Sequence, residues 1–234
     1  MLFHILGSGG FDPVSIIASL LFSLPIILLS LSAHEAAHGW MAYKCGDPTA
    51  RNLGRLTLNP IKHLDWKGFL CMLVFGYGWA NPVPVNTRNF RNPKRGMALT
   101  AAAGPAINLL LGIFFSALWG SFSILAYAVH GTFWENVVTW SIILFQTFAY
   151  VNVLYAIFNL IPLPPFDGSR IAFVFLPTRI YFSIMRYEQQ ILIGILVALV
   201  VLSRFGFSPF SWLADNLSFF IANKSYQLFL PLLK

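Results

Sequence analysis

From Val14 to Ala33 the chain carries no charge, and its apolar residues fall on every helical face, relieved only by Ser15, Ser19, Ser23, Pro25, Ser30 and Ser32. A helix that is apolar all round has no solvent side. A run of this length rises about 30 Å, the thickness of a bilayer's hydrocarbon core. The same pattern continues as helix through His34 and His38 to about Tyr43, where Lys44, Gly46 and Pro48 end it. A polar connector, 44–67, follows. Gly68 to Ala80 is apolar again but too short for a helical span of about 20 residues. It closes on Gly76-Tyr77-Gly78, then Asn81-Pro82-Val83-Pro84-Val85. Glycines and prolines so placed predict a re-entrant extended or β segment that returns to its starting side. Further apolar runs cover Met97 to Val129, about Val137 to Leu160, and Ile191 to Leu202, the last extendable back to Glu188. Residues 204–234 are aromatic and amphipathic, a candidate interfacial C-terminal helix.

Composition turns this pattern into a fold class. Of 234 residues, 57% are hydrophobic and only 10% charged, against roughly 25% charged in soluble domains. The expectation is an all-α polytopic membrane protein with about four transmembrane helices and no repeat. The formal charge of +7 does not indicate nucleic acid, because the cations sit in short loops between apolar runs. With a re-entrant 68–80 segment, loops 44–67, 81–96 and 162–186 share one side and hold twelve of the fifteen Lys and Arg. The first fourteen residues and the 129–136 loop hold none. The positive-inside rule then puts the N-terminus outside and the His34 end of the first helix toward the cytoplasm. Met1 to Gly10 lacks a basic leader region, so the first apolar run is expected to stay as a membrane helix. Cys45 and Cys71 form no CxxC pair and are expected as free thiols.

His34-Glu35-Ala36-Ala37-His38 lies at the end of the first run. On a helix, residues i and i+4 share a face, so both imidazoles can bind one zinc ion while the glutamate acts on water beside it. Ionisable residues at membrane depth mark function by default. Catalytic zinc usually has three protein ligands. Asp167, after the Pro-rich break Ile161–Phe166 and on the basic-loop side, is the best third candidate. By spacing alone it serves equally well as a helix N-cap or Asx-turn before Gly168. Asp12, Asp47, Asp65 and Glu135 are poorer by predicted depth or side, and His63 and His130 sit in loops. Asn108 and Asn159 are candidates for polarising a scissile carbonyl or holding a peptide; interhelical hydrogen bonding is the alternative for both, and the expectation for Asn152.

Together, His34-Glu35-x-x-His38, Gly76-x-Gly78, Gly104-Pro105-x-x-Asn108 and Asn159-x-x-Pro162-x-Pro164-Pro165-x-Asp167-Gly168 resemble the site-2 protease family of intramembrane zinc metalloproteases. The likeness runs from about Ser30 to Ile171 and is to the compact prokaryotic branch, without PDZ or CBS domains. It implies that His34, His38 and Asp167 bind one zinc ion per chain and that Glu35 is the catalytic base. It further implies that Gly76 and Gly78 belong to a membrane-embedded segment that pairs with substrate. The second motif departs from the simplest family form, since Pro164 and Pro165 lengthen the Asn159–Asp167 spacing.

The resulting expectation is a single membrane-embedded metalloprotease domain, 1–234, with a catalytic core of about 14–203. It hydrolyses peptide bonds in or near the transmembrane segments of membrane-protein substrates, in the cytoplasmic membrane of a prokaryote. Its partners are that substrate and the lipid bilayer. Two alternatives stand beside it: a pseudoprotease scaffold that binds membrane segments without cutting them, and a metal transporter. Stoichiometric zinc with chelator-sensitive proteolysis separates the first, and metal flux without proteolysis the second.

Overall fold

The computed structural model describes residues 13–75, 78–172, 174–206 and 209–233. Helix α1, Pro13–Lys44, opens on a proline, whose missing amide costs nothing in a first turn. Inside it, Ser23 and Ser32 hydroxyls donate to the carbonyls of Ser19 and Leu28, both at 2.7 Å, so these polar groups are satisfied within the helix. The end is a Schellman turn: Gly46, at φ +111°, donates to the Tyr43 carbonyl and Asp47 to that of Ala42.

After α1 come a short helix α2, Thr49–Asn52, a 3-10 turn at Pro60–Lys62, and α3, Trp66–Phe75. Here the structure corrects the sequence reading. The segment expected to be extended or β over 68–80 is helical as far as Phe75, and among the described residues it forms no strand. Between Phe69 and Phe75 there is no glycine or proline to stop a helix, and the Asp65 carboxylate accepts the Gly68 amide at 2.8 Å to start one. Among the described residues, strand pairing is confined to one antiparallel bridge, Leu64 with Ala80. The chain nevertheless comes back to where it left. Asn81 donates to the His63 carbonyl at 2.8 Å, and Gly78 lies so close to the Gly68 carbonyl that a Cβ would overlap it. The ten residues of α3 rise only about 15 Å, too short to cross a bilayer.

Beyond Ala80 the chain is extended through Val85, passes a 3-10 turn at Thr87–Asn89, and enters α4, Pro93–Val129. Helix α5 is Glu135–Asn159, and its first residue accepts the Gly131 amide at 2.7 Å. Then follow α6, Asp167–Ala172; α7, Thr178–Met185; α8, Glu188–Arg204; and α9, Pro209–Phe229, with a 3-10 turn at Leu230–Leu233. Helices α1, α4 and α5 are long and apolar enough to cross a membrane, and α8 is a shorter apolar helix. Acidic Glu188 in the first turn of α8 and basic Arg204 in its last complement the helix dipole.

By contacts the chain forms two compact units, Met1–Pro105 with Asn159–Ser208, and Ala106–Phe158 with Pro209–Lys234. In the second, Gly112 and Gly120 are the points of closest approach: a Cβ there would collide with Val153 and with the Ala222 carbonyl. Small residues at such crossings let membrane helices gain dispersion contact where no hydrophobic effect drives them together. Phe115 stacks on Phe148 with centroids 4.5 Å apart, and buried Asn108 donates to Asn152 at 2.8 Å. The first unit contains His34, Glu35, His38, Gly104 and Asp167.

Candidate metal centre and active site

Helical spacing carries His34 and His38 to one face of α1, with their Nε2 atoms 2.9 Å apart and their rings edge-to-face. Asp167, the first residue of α6, brings Oδ2 to 3.1 Å from each Nε2. The loop before it explains the placement. Phe166 donates to Leu163, and Ser169 returns both its amide and its hydroxyl to the Phe166 carbonyl, folding the Pro-rich stretch into a tight turn. Gly168 then sits against the carbonyls of Leu160 and Ile161, where any side chain would overlap backbone. An Asp-Gly pair is thus required on both counts, for the carboxylate and for the turn.

Two backbone groups, the Thr100 carbonyl and the Val83 amide, contact this cluster. The Thr100 carbonyl on α4 lies 2.7 Å from His38 Nδ1. A carbonyl can only accept, so Nδ1 carries the proton and Nε2 is the ring atom left facing His34 and Asp167. On the next turn of α4, Gly104 backs onto both imidazoles: a Cβ would strike His38 Nε2 and Cε1, and His34 Cε1. Gly104 therefore serves a contact with the rings themselves. Glu35 turns to another neighbour, its Oε2 accepting the Val83 amide at 2.9 Å. His34, Glu35 and His38 are all buried, and one ligand atom from each falls within 4.8 Å of the others.

The donor set fits zinc. Three ligand atoms at 2.0–2.2 Å from a tetrahedral ion stand about 3.3–3.6 Å apart, a few tenths of an ångström wider than the observed 2.9–3.1 Å. Asp167 Oδ2 is buried without a hydrogen-bond donor. A buried carboxylate oxygen facing a nitrogen lone pair is costly unless a cation lies between them. The His38–Thr100 contact is the outer-shell support that metal-bound histidines usually have.

The remaining candidates are dispersed. Gly78 packs against the head of α3, while Gly76 lies outside the described residues. Asn108 is engaged with Asn152 in the second unit, and Asn152 also donates to the Phe148 carbonyl. Asn159 is the last residue of α5. Buried His63 contacts the Thr57 carbonyl, and exposed His130 pairs with Glu135. Asp47 is fully committed to Thr49, Asn86 and Asn89. Cys45 and Cys71 are free thiols.

Comparison with known proteins supplies the family. The model of peptidase family M50 matches residues 22–203, a stretch containing His34, Glu35, His38 and Asp167. The chain belongs to peptidase family M50, the site-2 proteases. YwhC of Bacillus subtilis, assigned by name to the zinc metalloproteases, is 38% identical over 81% of this chain and 82% of its own length. Rip2 of Mycolicibacterium smegmatis, similarly named, is 30% identical over 67% of this chain and 58% of its own. For Rip2 of Mycobacterium tuberculosis the identity is 29%, over 60% and 52%. No solved structure matches the chain. An M50 chain with these apolar helices is a multi-pass membrane protein and an intramembrane zinc metalloprotease.

Proposed function

We propose that His34, His38 and Asp167 are the protein ligands of the M50 zinc ion, that Glu35 is its catalytic base, and that the substrate is a membrane protein cut in or near a transmembrane segment. The supporting observation is the triangle of Nε2, Nε2 and Oδ2 atoms with sides of 2.9–3.1 Å, buried beside a glutamate. Zinc bound there supplies Lewis acidity, which makes water a usable nucleophile near pH 7 and draws charge from the scissile carbonyl. Glu35 takes the proton as water adds to that carbonyl and passes it to the leaving amide nitrogen as the C–N bond breaks. His38, held at Nδ1 by the Thr100 carbonyl, would present Nε2 to the metal. Burial of all three α1 residues limits competing solvent, which strengthens each electrostatic contact.

The distribution of cations supports an orientation with the N-terminus outside and the site toward the cytoplasmic face of a prokaryotic membrane, as does the return of the chain from α3 to its own start. In this reading, 1–234 acts as one protease domain with its catalytic core at about 14–203, and Gly76, Gly78, Asn108 and Asn159 are the substrate-side candidates.

The test is cleavage of a single-pass membrane substrate by purified enzyme in liposomes. Zinc-dependent cutting that chelator abolishes, added zinc restores and Glu35→Gln lacks is the expected result. Undiminished cutting by metal-retaining Glu35→Gln excludes the assigned base.

A further inference from the structure

The extended segment Asn81-Pro82-Val83-Pro84-Val85-Asn86 is tied down at both ends and once in the middle. At its start, Asn81 donates to the His63 carbonyl at 2.8 Å and receives Arg55 Nη2 on its own carbonyl at 2.7 Å. At its finish, the Asn86 amide donates to Asp47 Oδ2 at 2.7 Å. Between these anchors the Pro82 carbonyl accepts Arg55 Nη2 at 3.4 Å, and the Val83 amide donates to Glu35 Oε2 at 2.9 Å. Prolines have no amide hydrogen, so Pro82 and Pro84 leave Val83 as the single donor of its tripeptide. The Val83 side chain is buried and seated against Gly39, one helical turn past Glu35, where a Cβ would come within 3.3 Å of it. Alternating prolines fix the φ of the segment, the Gly39 seat fixes its distance from α1, and the lone amide meets the carboxylate.

We propose that the Val83 backbone amide is a positioning group for Glu35. It commits Oε2 to the strap 81–86 and leaves Oε1 to take the proton from water and return it to the leaving nitrogen. A glutamate has three side-chain torsions, and a base must lie within hydrogen-bond reach of its proton. One charge-assisted bond from a rigid strap selects a single arrangement before substrate arrives. The role rests on Glu35 being the base. Val83 touches neither substrate nor metal in it, and acts through the carboxylate alone.

The first test is Val83→Pro, which deletes the amide in a segment already extended and proline-flanked. Losing a hydrogen bond to a charged group translates into about a ten- to hundredfold fall in kcat, with KM and zinc content within about twofold of wild type. A kcat within about threefold of wild type, with zinc retained, overturns the proposal. The second test needs no activity and covers the case in which Val83→Pro does not fold. Because prolines do not exchange, deuterium uptake across 82–84 reports Val83 alone. In Glu35→Ala that amide is expected to exchange at least about tenfold faster, while Asn81 and Asn86, held by His63 and Asp47, stay as protected as in wild type. Unchanged protection of Val83 in Glu35→Ala overturns the tie. Exchange is read on metal-free and zinc-loaded protein alike. Wild type that shows the tie but cleaves nothing would count against the proposed function instead.

Discussion

Two carboxylates in the first unit, Asp47 and Asp167, are surrounded in opposite ways. Around Asp47 every neighbour gives: the Thr49 amide and hydroxyl, the Asn86 amide and the Asn89 side-chain amide all donate to it. Around Asp167 Oδ2 there is no hydrogen-bond donor, and two imidazole nitrogens stand at 3.1 Å. A donor-matched carboxylate is complete within the protein and serves structure, here by joining the end of α1 to the loop before α4. A carboxylate faced by two imidazole nitrogens instead is suited to share a cation with them. Asp47 follows the end of α1 and Asp167 opens α6, yet the two look equally acidic in the sequence. What separates them is the supply of amide hydrogens in the fold.

The same substitution at the two positions should therefore split in its effects. Asp167→Asn is expected to have the largest. Removing the ligand charge should lower zinc affinity by more than about a hundredfold and abolish cleavage. Stability of the metal-free protein should stay within about 1 kcal/mol of wild type, or rise as repulsion is relieved. Zinc stoichiometry and chemical denaturation in detergent check both halves; full zinc occupancy in Asp167→Asn would remove it from the ligand set. Next comes Gly104→Val, which pushes both imidazoles off their positions. About a ten- to hundredfold loss of zinc affinity is expected, whereas Gly194→Ala, at a position where a Cβ meets nothing, should leave it unchanged.

Asp47→Asn should do the reverse of Asp167→Asn. Its new amide group meets existing donors, at about 1–3 kcal/mol of stability, while zinc binding persists. The smallest effect is one of pH. Burial alone would raise the Asp47 carboxyl, but donors from Thr49, Asn89 and Asn86 hold it below the usual carboxylate range. Its contribution is then fully present above the unfolded value of about 4 and fades as pH falls through the lower folded value. The gap in melting temperature between wild type and Asp47→Asn should be constant near neutrality and narrow in acid below about pH 4. A gap that widens in acid would contradict the donor-matched arrangement.

Much of the molecule was legible because its signals are periodic. The uncharged runs predict α1, α4 and α5 to within a few residues, and i, i+4 spacing alone puts His34 and His38 on one face. Asp167 was a choice between ligand and N-cap on spacing, and the family resemblance, not geometry, favoured the ligand. After Gly68 the glycines at 76 and 78 suggest an extended segment, whereas the residues before them form a helix to Phe75. Local helix formation from Asp65 to Phe75 needs no partner strand, whereas an extended segment does. Thr100 and Val83 were not foreseen because they act through backbone atoms, which every residue shares. The alternation Pro82-Val83-Pro84 was the one visible hint, marking a solitary donor.

Gly104 sets the tolerance of the centre. With no room for even a methyl group between α4 and the two rings, these helices cannot slide past one another by a fraction of a turn without jamming. Whatever breathing admits a polypeptide must occur on another flank, leaving this seam as the fixed jaw of the vice.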